Sequence, residues 1–150
     1  LTTDEKTLQG FIEHTRILFN KFEPEQIAFP RGVNGLMKYT SGADIYAKGT
    51  PMHVRGALMY NHLLRKNKLD KKYELIQEGE KIKFLYLKEP NHIRENCIAF
   101  IGKIPKELDL DRYIDYNTMF EKSFLEPIKQ IIEGLGWQTE VTATLEDLFT

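Results

Sequence analysis

The 150-residue sequence is poor in cysteine, and its one thiol is Cys97. A disulfide framework and a zinc site built from several cysteines are therefore excluded. Such sparse use of cysteine is typical of a reducing cytoplasm. The sequence also lacks any run approaching the roughly 20 apolar residues that cross a bilayer. No basic flank followed by an apolar run and a cleavage site opens the chain, so nothing in it signals secretion.

The composition is that of a folded protein, with 41% hydrophobic, 29% charged and 11% aromatic residues. The aromatic content argues against disorder, and a chain of this length buries enough surface for one real core. The sequence begins Leu1-Thr2-Thr3-Asp4 without an initiator methionine and enters an amphipathic pattern at once. We therefore expect one domain, cut from a longer protein.

The charge is near neutral overall but unevenly distributed. Residues 31–72 contain nine basic and two acidic residues, a net charge of +7, whereas residues 106–150 contain four basic and ten acidic residues, a net charge of −6. A basic stretch with interleaved tyrosines is typical of a surface that binds a polyanion. A solvated face with no partner explains the same run of charge. The tyrosines in and beside this stretch are Tyr39, Tyr46, Tyr60 and Tyr73.

The hydrophobic periodicity predicts an α+β fold that is mostly helical and contains a small antiparallel β insertion at about residues 80–101. Helices are predicted over about 3–22, 51–66 and 117–133, with a kink or break at Pro127. The inward face of the second helix is predicted to include Val54, Ala57, Leu58 and Leu64, and that of the third to include Ile131 and Leu135. Thr50 and Pro51 are expected at the N-cap and first position of the second helix. Residues 73–76 suit a third strand or a helical extension. Residues 29–50 lose any period and are predicted to form a long glycine-rich loop.

No catalytic constellation is complete in the sequence. The four histidines show no metal-ligand spacing, and Cys97 lies in an apolar strand, where an inert thiol is expected. Asp109 and Asp111 form an Asp-x-Asp pair that suits either metal binding or the acidic start of a helix. A small metal-dependent nuclease using these two carboxylates and a histidine is therefore one alternative function.

Several stretches, taken together and in order, resemble the C-terminal thumb of family B DNA polymerases from T-even-like bacteriophages. The most specific is the Pro-x-His-x-Arg-Gly motif that begins at Pro51 and is followed by Tyr60 and Asn61. The resemblance covers nearly the whole chain. Its other stretches are 29–33, 38–39, 48–57, 79–81, 97–100, 115–116, 120–122, 124–127 and 145–149.

The resemblance implies that the chain grips primer–template duplex DNA through backbone and minor-groove contacts. The parent protein is then expected to be a DNA-directed DNA polymerase that uses Mg²⁺ and dNTPs in the cytoplasm of an infected bacterial host. This chain contains neither a Tyr-Gly-Asp-Thr-Asp nor a Ser-Leu-Tyr-Pro motif. Alone, it is expected to be inactive, with no catalytic residue, metal site, cofactor or membrane contact, and to join the remainder of the polymerase chain.

Six residues are predicted to contact DNA. Lys38 and Lys122 match family lysines that face phosphates, Gly32 matches a backbone-contacting position, and Lys48 substitutes for the family lysine at Gly49. The basic segment adds Arg31, whereas Arg55 is expected either to contact DNA or to pair with an acid and fix the loop. Two further family lysines are replaced by Asn96 and Glu126, which shifts the expected contacts toward Arg94 and Lys129.

The tail is expected to act separately from the thumb, with the thumb at residues 1–137 and the tail at 138–150. Leu145, Leu148 and Phe149 have the spacing of one face of a helical turn. Their resemblance to the family's terminal peptide implies binding to a sliding clamp. Packing of these side chains on the thumb core is the alternative. A stand-alone clamp-binding module is a second function that the tail supports.

Overall fold

The structure, a computed structural model, describes residues 3–137. Within these residues, two short 3₁₀ turns lie at Lys106–Leu108 and Asp111–Tyr113, and a π-helical segment spans Glu121–Leu125. The remaining elements are α1 (Thr3–Phe19), α2 (Pro24–Ile27), β1 (Phe29–Gly32), α3 (Leu36–Thr40), α4 (Met52–Lys66), β2 (Lys81–Tyr86), β3 (Cys97–Phe100), α5 (Tyr116–Phe120) and α6 (Glu126–Gly134). The prediction of a helix-rich α+β fold with a small antiparallel sheet is confirmed.

The chain divides into two compact units. The first unit contains the described residues up to Phe22 and from Tyr116 onward, and the second unit is the continuous segment Glu23–Asp115. Each unit has its own buried apolar side chains. The expected boundary between a thumb at 1–137 and a tail at 138–150 falls at the edge of the described residues and stays a prediction.

The core of the first unit is a cluster of apolar side chains from α1, α5, the π segment and α6. Its buried members are Ile12, Phe120, Leu125 and Ile132. Ile131 and Leu135, which the periodicity placed inward, are instead 70% and 61% exposed. That prediction was wrong because the π segment changes the rotation of the helical surface before α6 begins.

The predicted helix at 117–133 is interrupted just before Pro127. Residues 121–125 are π-helical, and the backbone N–H of Glu126 donates to the carbonyl of Glu121. Proline has no N–H and its ring clashes with the carbonyl four residues earlier, so a regular α-helix cannot run through this position undisturbed. The expected kink or break at Pro127 therefore takes the form of a five-residue π segment.

The second unit is built on a three-stranded antiparallel sheet in the order β1-β2-β3. Phe29 pairs with Phe84 and Arg31 with Ile82, while Phe84 also pairs with Ala99. Directly opposed residues share a face of the sheet. These five residues therefore lie on one face of the sheet.

Helix α4 packs on that same face, mainly against β3. A Cβ atom on Gly56 would lie 2.8 Å from the backbone nitrogen of Ala99, so only glycine permits this close approach of helix and strand. The predicted helix at 51–66 is confirmed, except that it begins at Met52 with Pro51 at the N-cap, one residue later than expected. Its apolar stripe is buried as predicted, including Val54, Ala57, Leu58 and Leu64.

Two predictions for the second unit were wrong. Residues 29–50 are not a continuous loop, because they contain β1 and α3. Pro30 concealed β1, and it is tolerated there because β1 is an edge strand that pairs on one side only. Residues 73–76 form neither a strand nor a helix; instead, the buried Asn61 side chain exchanges hydrogen bonds with the backbone of Ile76, at 2.9 and 2.7 Å.

Candidate nucleic-acid interface

Three of the predicted DNA-binding side chains lie exposed on the segment that leads into α4. Arg31 is on β1, Lys38 on α3, and Lys48 in the turn just before the helix. The backbone N–H of Ala47 donates to the carbonyl of Tyr39 at 2.6 Å. Because each lysine is one residue from this bond, the two lysine-bearing stretches are held side by side.

The cationic segment, residues 31–48, is held to the sheet by hydrogen bonds from residues 78–80, which directly precede β2. Val33 donates to the Glu80 carbonyl at 2.9 Å and accepts from the N–H of Gly79 at 2.7 Å. The Glu78 carboxylate accepts the backbone N–H groups of Gly35 and Leu36, the latter at 3.0 Å. These bonds satisfy the first amides of α3, which has no side-chain cap of its own.

Arg31 lies over the rings of Phe29 and Phe84, with its guanidinium carbon 5.8 and 5.7 Å from their centroids. The ring of His53, in the first turn of α4, contacts Phe84 in a tilted arrangement, with the two centroids 6.3 Å apart. Burial lowers the pKa of His53, and the nearby charge of Arg31 lowers it further. Both effects disfavour the charged imidazole, and an anion placed against Arg31 would oppose the second of them.

Two glycines, one inside the cationic segment and one directly after it, leave the space beside the backbone free of side chains. A Cβ atom at Gly32 or at Gly49 would meet nothing within 4 Å. Gly49 also has a φ of +84°, which L side chains rarely adopt. Open space at these positions lets a ligand approach the backbone closely, which suits the backbone contact predicted for Gly32.

Arg55 is engaged within the protein rather than presented to solvent. Its guanidinium donates to the side-chain oxygen of Asn96 and lies 3.6 Å from a carboxylate oxygen of Glu95. Tyr46 donates its hydroxyl to the same carboxylate, and burial, followed by this hydrogen bond, raises the pKa of Tyr46 to about 12. The geometry corresponds to the alternative in which Arg55 pairs with an acid and fixes the loop.

We expect Glu95→Ala to destabilise the second unit by about 1–3 kcal/mol, because it leaves a largely buried guanidinium without its carboxylate. The Glu95 side chain is only 10% exposed and that of Arg55 is 23% exposed. Lys72→Ala is a matched control, since its pair with Glu107 is far more exposed and should contribute less than about 1 kcal/mol. Urea denaturation measures both, and equal losses would contradict the assignment.

The remaining cations of the prediction lie elsewhere. Lys122 belongs to the first unit, where its Nζ is 4.0 Å from Glu126. Lys129, in the same unit, pairs with Glu133 at 3.9 Å. Arg94 is exposed in the second unit with a φ of 57°. The structure therefore holds the Lys38 and Lys48 stretches side by side in the second unit and places Lys122 in the other unit.

The sequence did not reveal the residues that hold the site in place. Glu78 contacts a segment 42 and 43 positions earlier, and Glu95 contacts Tyr46 across 49 positions. No local pattern marks such pairs. Leu145, Leu148 and Phe149 lie outside the described residues.

No metal centre is found in the part of the chain that the structure describes. Within residues 3–137, no three histidine, cysteine, aspartate or glutamate side chains are grouped so as to hold an ion. Asp109 accepts a hydrogen bond from Arg112 at 2.8 Å.

Across residues 3–137, no helix combines the length and apolar character needed to cross a membrane.

Comparison with known proteins gives two relatives. The chain is 29% identical to the DNA-directed DNA polymerase of Enterobacteria phage T4 over 153 aligned positions, which cover 99% of this chain and 16% of that protein. It is 31% identical to the DNA-directed DNA polymerase of Escherichia phage RB69 over 136 positions, 87% of this chain and 14% of that protein. The chain thus spans about one sixth of the length of these relatives. No protein-family profile matches it. The resemblance to T-even-like phage DNA polymerases is confirmed.

Proposed function

We propose that this chain is the thumb of a family B phage DNA polymerase and that it grips primer–template duplex DNA through the phosphates. The observation that carries the proposal is the cationic segment 31–48, where Arg31, Lys38 and Lys48 are exposed beside the open backbone of Gly32 and Gly49. A replicative polymerase holds any sequence, so phosphate contacts suit it better than contacts to base edges. The similarity to two phage DNA polymerases supports the same function.

In this proposal the segment acts as a fixed cradle for one strand of the duplex. Glu78 and the Val33 backbone hold it against the sheet. Glu95 contacts both Arg55 and Tyr46, which fixes the stretch around Tyr46 to α4. Arg31, Lys38 and Lys48 then neutralise phosphates at the surface. Arg55 is a positioning residue here, because its guanidinium is already bonded to protein groups.

Titration of the 150-residue chain with a labelled primer–template duplex tests the proposal. We expect saturable binding that is equal for duplexes of unrelated sequence and that weakens steeply with added salt. The same preparation, incubated with Mg²⁺ and dNTPs, is expected to extend no primer. A strong preference for one base sequence, or the absence of binding at low salt, would overturn the thumb assignment.

The tail completes the proposal with tethering to a sliding clamp. Leu145, Leu148 and Phe149 provide apolar anchors at helical spacing beside Glu146 and Asp147, a pattern typical of a peptide that docks in an apolar groove. A tether of this kind raises the local concentration of the polymerase at the primer end without changing its chemistry.

Deletion of residues 144–150 is expected to abolish binding to the cognate clamp while leaving the melting temperature nearly unchanged. If the apolar side chains packed on the thumb core instead, truncating Phe149 would cost roughly 1.5–3 kcal/mol of stability. Clamp pull-down and thermal unfolding of the same truncated chain distinguish these outcomes. Retention of full clamp affinity by the truncated chain would exclude the tail as the tether.

A further inference from the structure

A second basic surface lies beside α4 and shares one residue, Ile45, with the cationic segment. It is a groove of about 420 Å³ between the C-terminal half of α4 and the loop that precedes β3. The groove has an apolar floor of Met59 and Leu63, which are buried, and half-buried flanks at Ile45 and Ile93. Lys66 and Arg94 stand exposed at its rim.

These two rim cations are available to a ligand. Within residues 3–137, no carboxylate pairs with Lys66 or Arg94, whereas the exposed Lys72 and Arg112 both have acidic partners. His62 lines the same groove and adds a third polar side chain to it. The groove therefore combines an apolar floor with a rim whose positive charges have no acidic partner, which favours an anionic ligand that also has an apolar part.

The loop that carries Arg94 is fixed rather than adaptable. The buried Asn91 side chain donates to the carbonyls of Lys88 and Glu95, at 2.8 and 2.6 Å, and accepts the N–H of Ile93 at 3.2 Å. Arg94 itself has a φ of 57°, a left-handed conformation that is uncommon for residues other than glycine. The loop thus holds the arginine at the groove in a defined position, which lowers the entropy lost when a ligand binds.

We propose that this groove is a docking site for a short acidic peptide segment of a partner protein, with a leucine or phenylalanine seated on Met59 and Leu63 and its carboxylates on Lys66 and Arg94. The charge complementarity and the apolar floor both fit such a peptide. The proposed grip on DNA, which rests on Arg31, Lys38 and Lys48, assigns nothing to the rim cations of this groove.

A nucleic-acid strand fits the groove less well. Among the described residues that line it, none is Phe, Tyr or Trp, and these are the side chains on which single-stranded bases stack most strongly. His92 also lines the groove, but its ring is already bonded to the Leu108 carbonyl at 2.8 Å and packs on Tyr113. A duplex would engage the two rim cations but would leave the apolar floor unused.

Fluorescence anisotropy with a defined probe tests the proposal. The probe is a labelled heptapeptide, Asp-Glu-Leu-Phe-Asp-Glu-Leu, titrated with the 150-residue chain at about 0.15 M salt, where exposed charges are screened beyond roughly 8 Å. One control peptide replaces its leucines and phenylalanine by serine, and another replaces its acids by amides. The charge-reversed variant Lys66→Glu/Arg94→Glu is compared with Lys68→Glu/Lys71→Glu, whose exposed lysines lie outside the groove.

We expect saturable binding of the acidic apolar peptide, at least about tenfold weaker binding to the Lys66/Arg94 variant, and little change with the Lys68/Lys71 variant. Both control peptides should bind weakly. No saturable binding, equal losses in the two variants, or full binding by either control peptide would overturn the proposal. Duplex DNA is titrated in parallel: a loss of DNA affinity confined to the Lys66/Arg94 variant would assign the groove to nucleic acid instead. Since the cationic segment is intact in every variant, failure here leaves the grip on DNA unaffected.

Discussion

Replacement of both Arg31 and Lys38 by alanine is expected to weaken duplex DNA binding about tenfold or more at near-physiological salt and to do so equally for all base sequences. Both side chains are exposed on the cationic segment, and each is expected to neutralise one phosphate. Each lost contact should also flatten the dependence of log affinity on log salt by about 0.9 slope units. Binding isotherms at several salt concentrations measure the affinity and the slope together.

The matched control for this double variant is Lys71→Ala/Lys106→Ala. It removes the same charge from exposed positions of the second unit that lie outside the segment. We expect it to change the affinity only slightly, through the general field of the protein. Equal losses in the two double variants would mean that DNA senses net charge alone, and an unchanged salt slope in Arg31→Ala/Lys38→Ala would remove these residues from the interface.

Substitution of Gly56 tests the close packing of α4 on β3. A Cβ atom at this position would lie 2.8 Å from the Ala99 nitrogen and 3.1 Å from the Ile98 carbonyl carbon, both of which are backbone atoms. Alanine gains about 1 kcal/mol of helix propensity. Overpacking typically costs about 1–3 kcal/mol, and the upper part of that range, about 2–3 kcal/mol, applies here because the atoms in the way are backbone atoms. We therefore expect Gly56→Ala to destabilise the second unit by about 1–2 kcal/mol and Gly56→Val to cost more than that.

Gly10 provides the comparison. It lies inside α1, and a Cβ atom there would meet nothing within 4 Å, so Gly10→Ala should raise stability by up to about 1 kcal/mol through propensity alone. Urea denaturation followed by far-UV circular dichroism measures the pair. A Gly56→Ala protein as stable as the parent would show that α4 and β3 separate easily, and the close packing would then not be what positions the segment before α4.

Local sequence patterns predicted those parts of the fold that depend on local forces. The apolar stripe of α4 and the alternating residues of β2 were recognised because burial of one face imposes a period. Strand β1 was missed because Pro30 suggests a break, and only the pairing with β2 makes it a strand. The exposed Ile131 and Leu135 were misassigned because the π segment rotates everything that follows it.

The candidate site divides in the same way. Exposure of Arg31, Lys38 and Lys48 followed from a charged run rich in glycine, and the resemblance to polymerases indicated Lys38 and Lys48 as well. What fixes them did not follow, because Glu78 and Glu95 act across more than 40 positions of sequence. The role of Arg55 also depends on such a distant contact, because the sequence around an arginine in a helix does not show whether a carboxylate from another part of the chain will lie beside it.

The division of the chain has a consequence for how the molecule is encoded and assembled. The second unit is one uninterrupted stretch, Glu23–Asp115, inserted between the two halves of the first. One contiguous piece of the gene therefore encodes every residue of the cationic segment and of the groove beside α4. The first unit, in contrast, is discontinuous, and its two halves can meet only by closing a loop as long as the second unit. Closing a flexible loop costs conformational entropy, and this cost is smaller once the second unit has folded. Assembly that begins with the inserted unit therefore forms the cationic segment before the core of the first unit is complete.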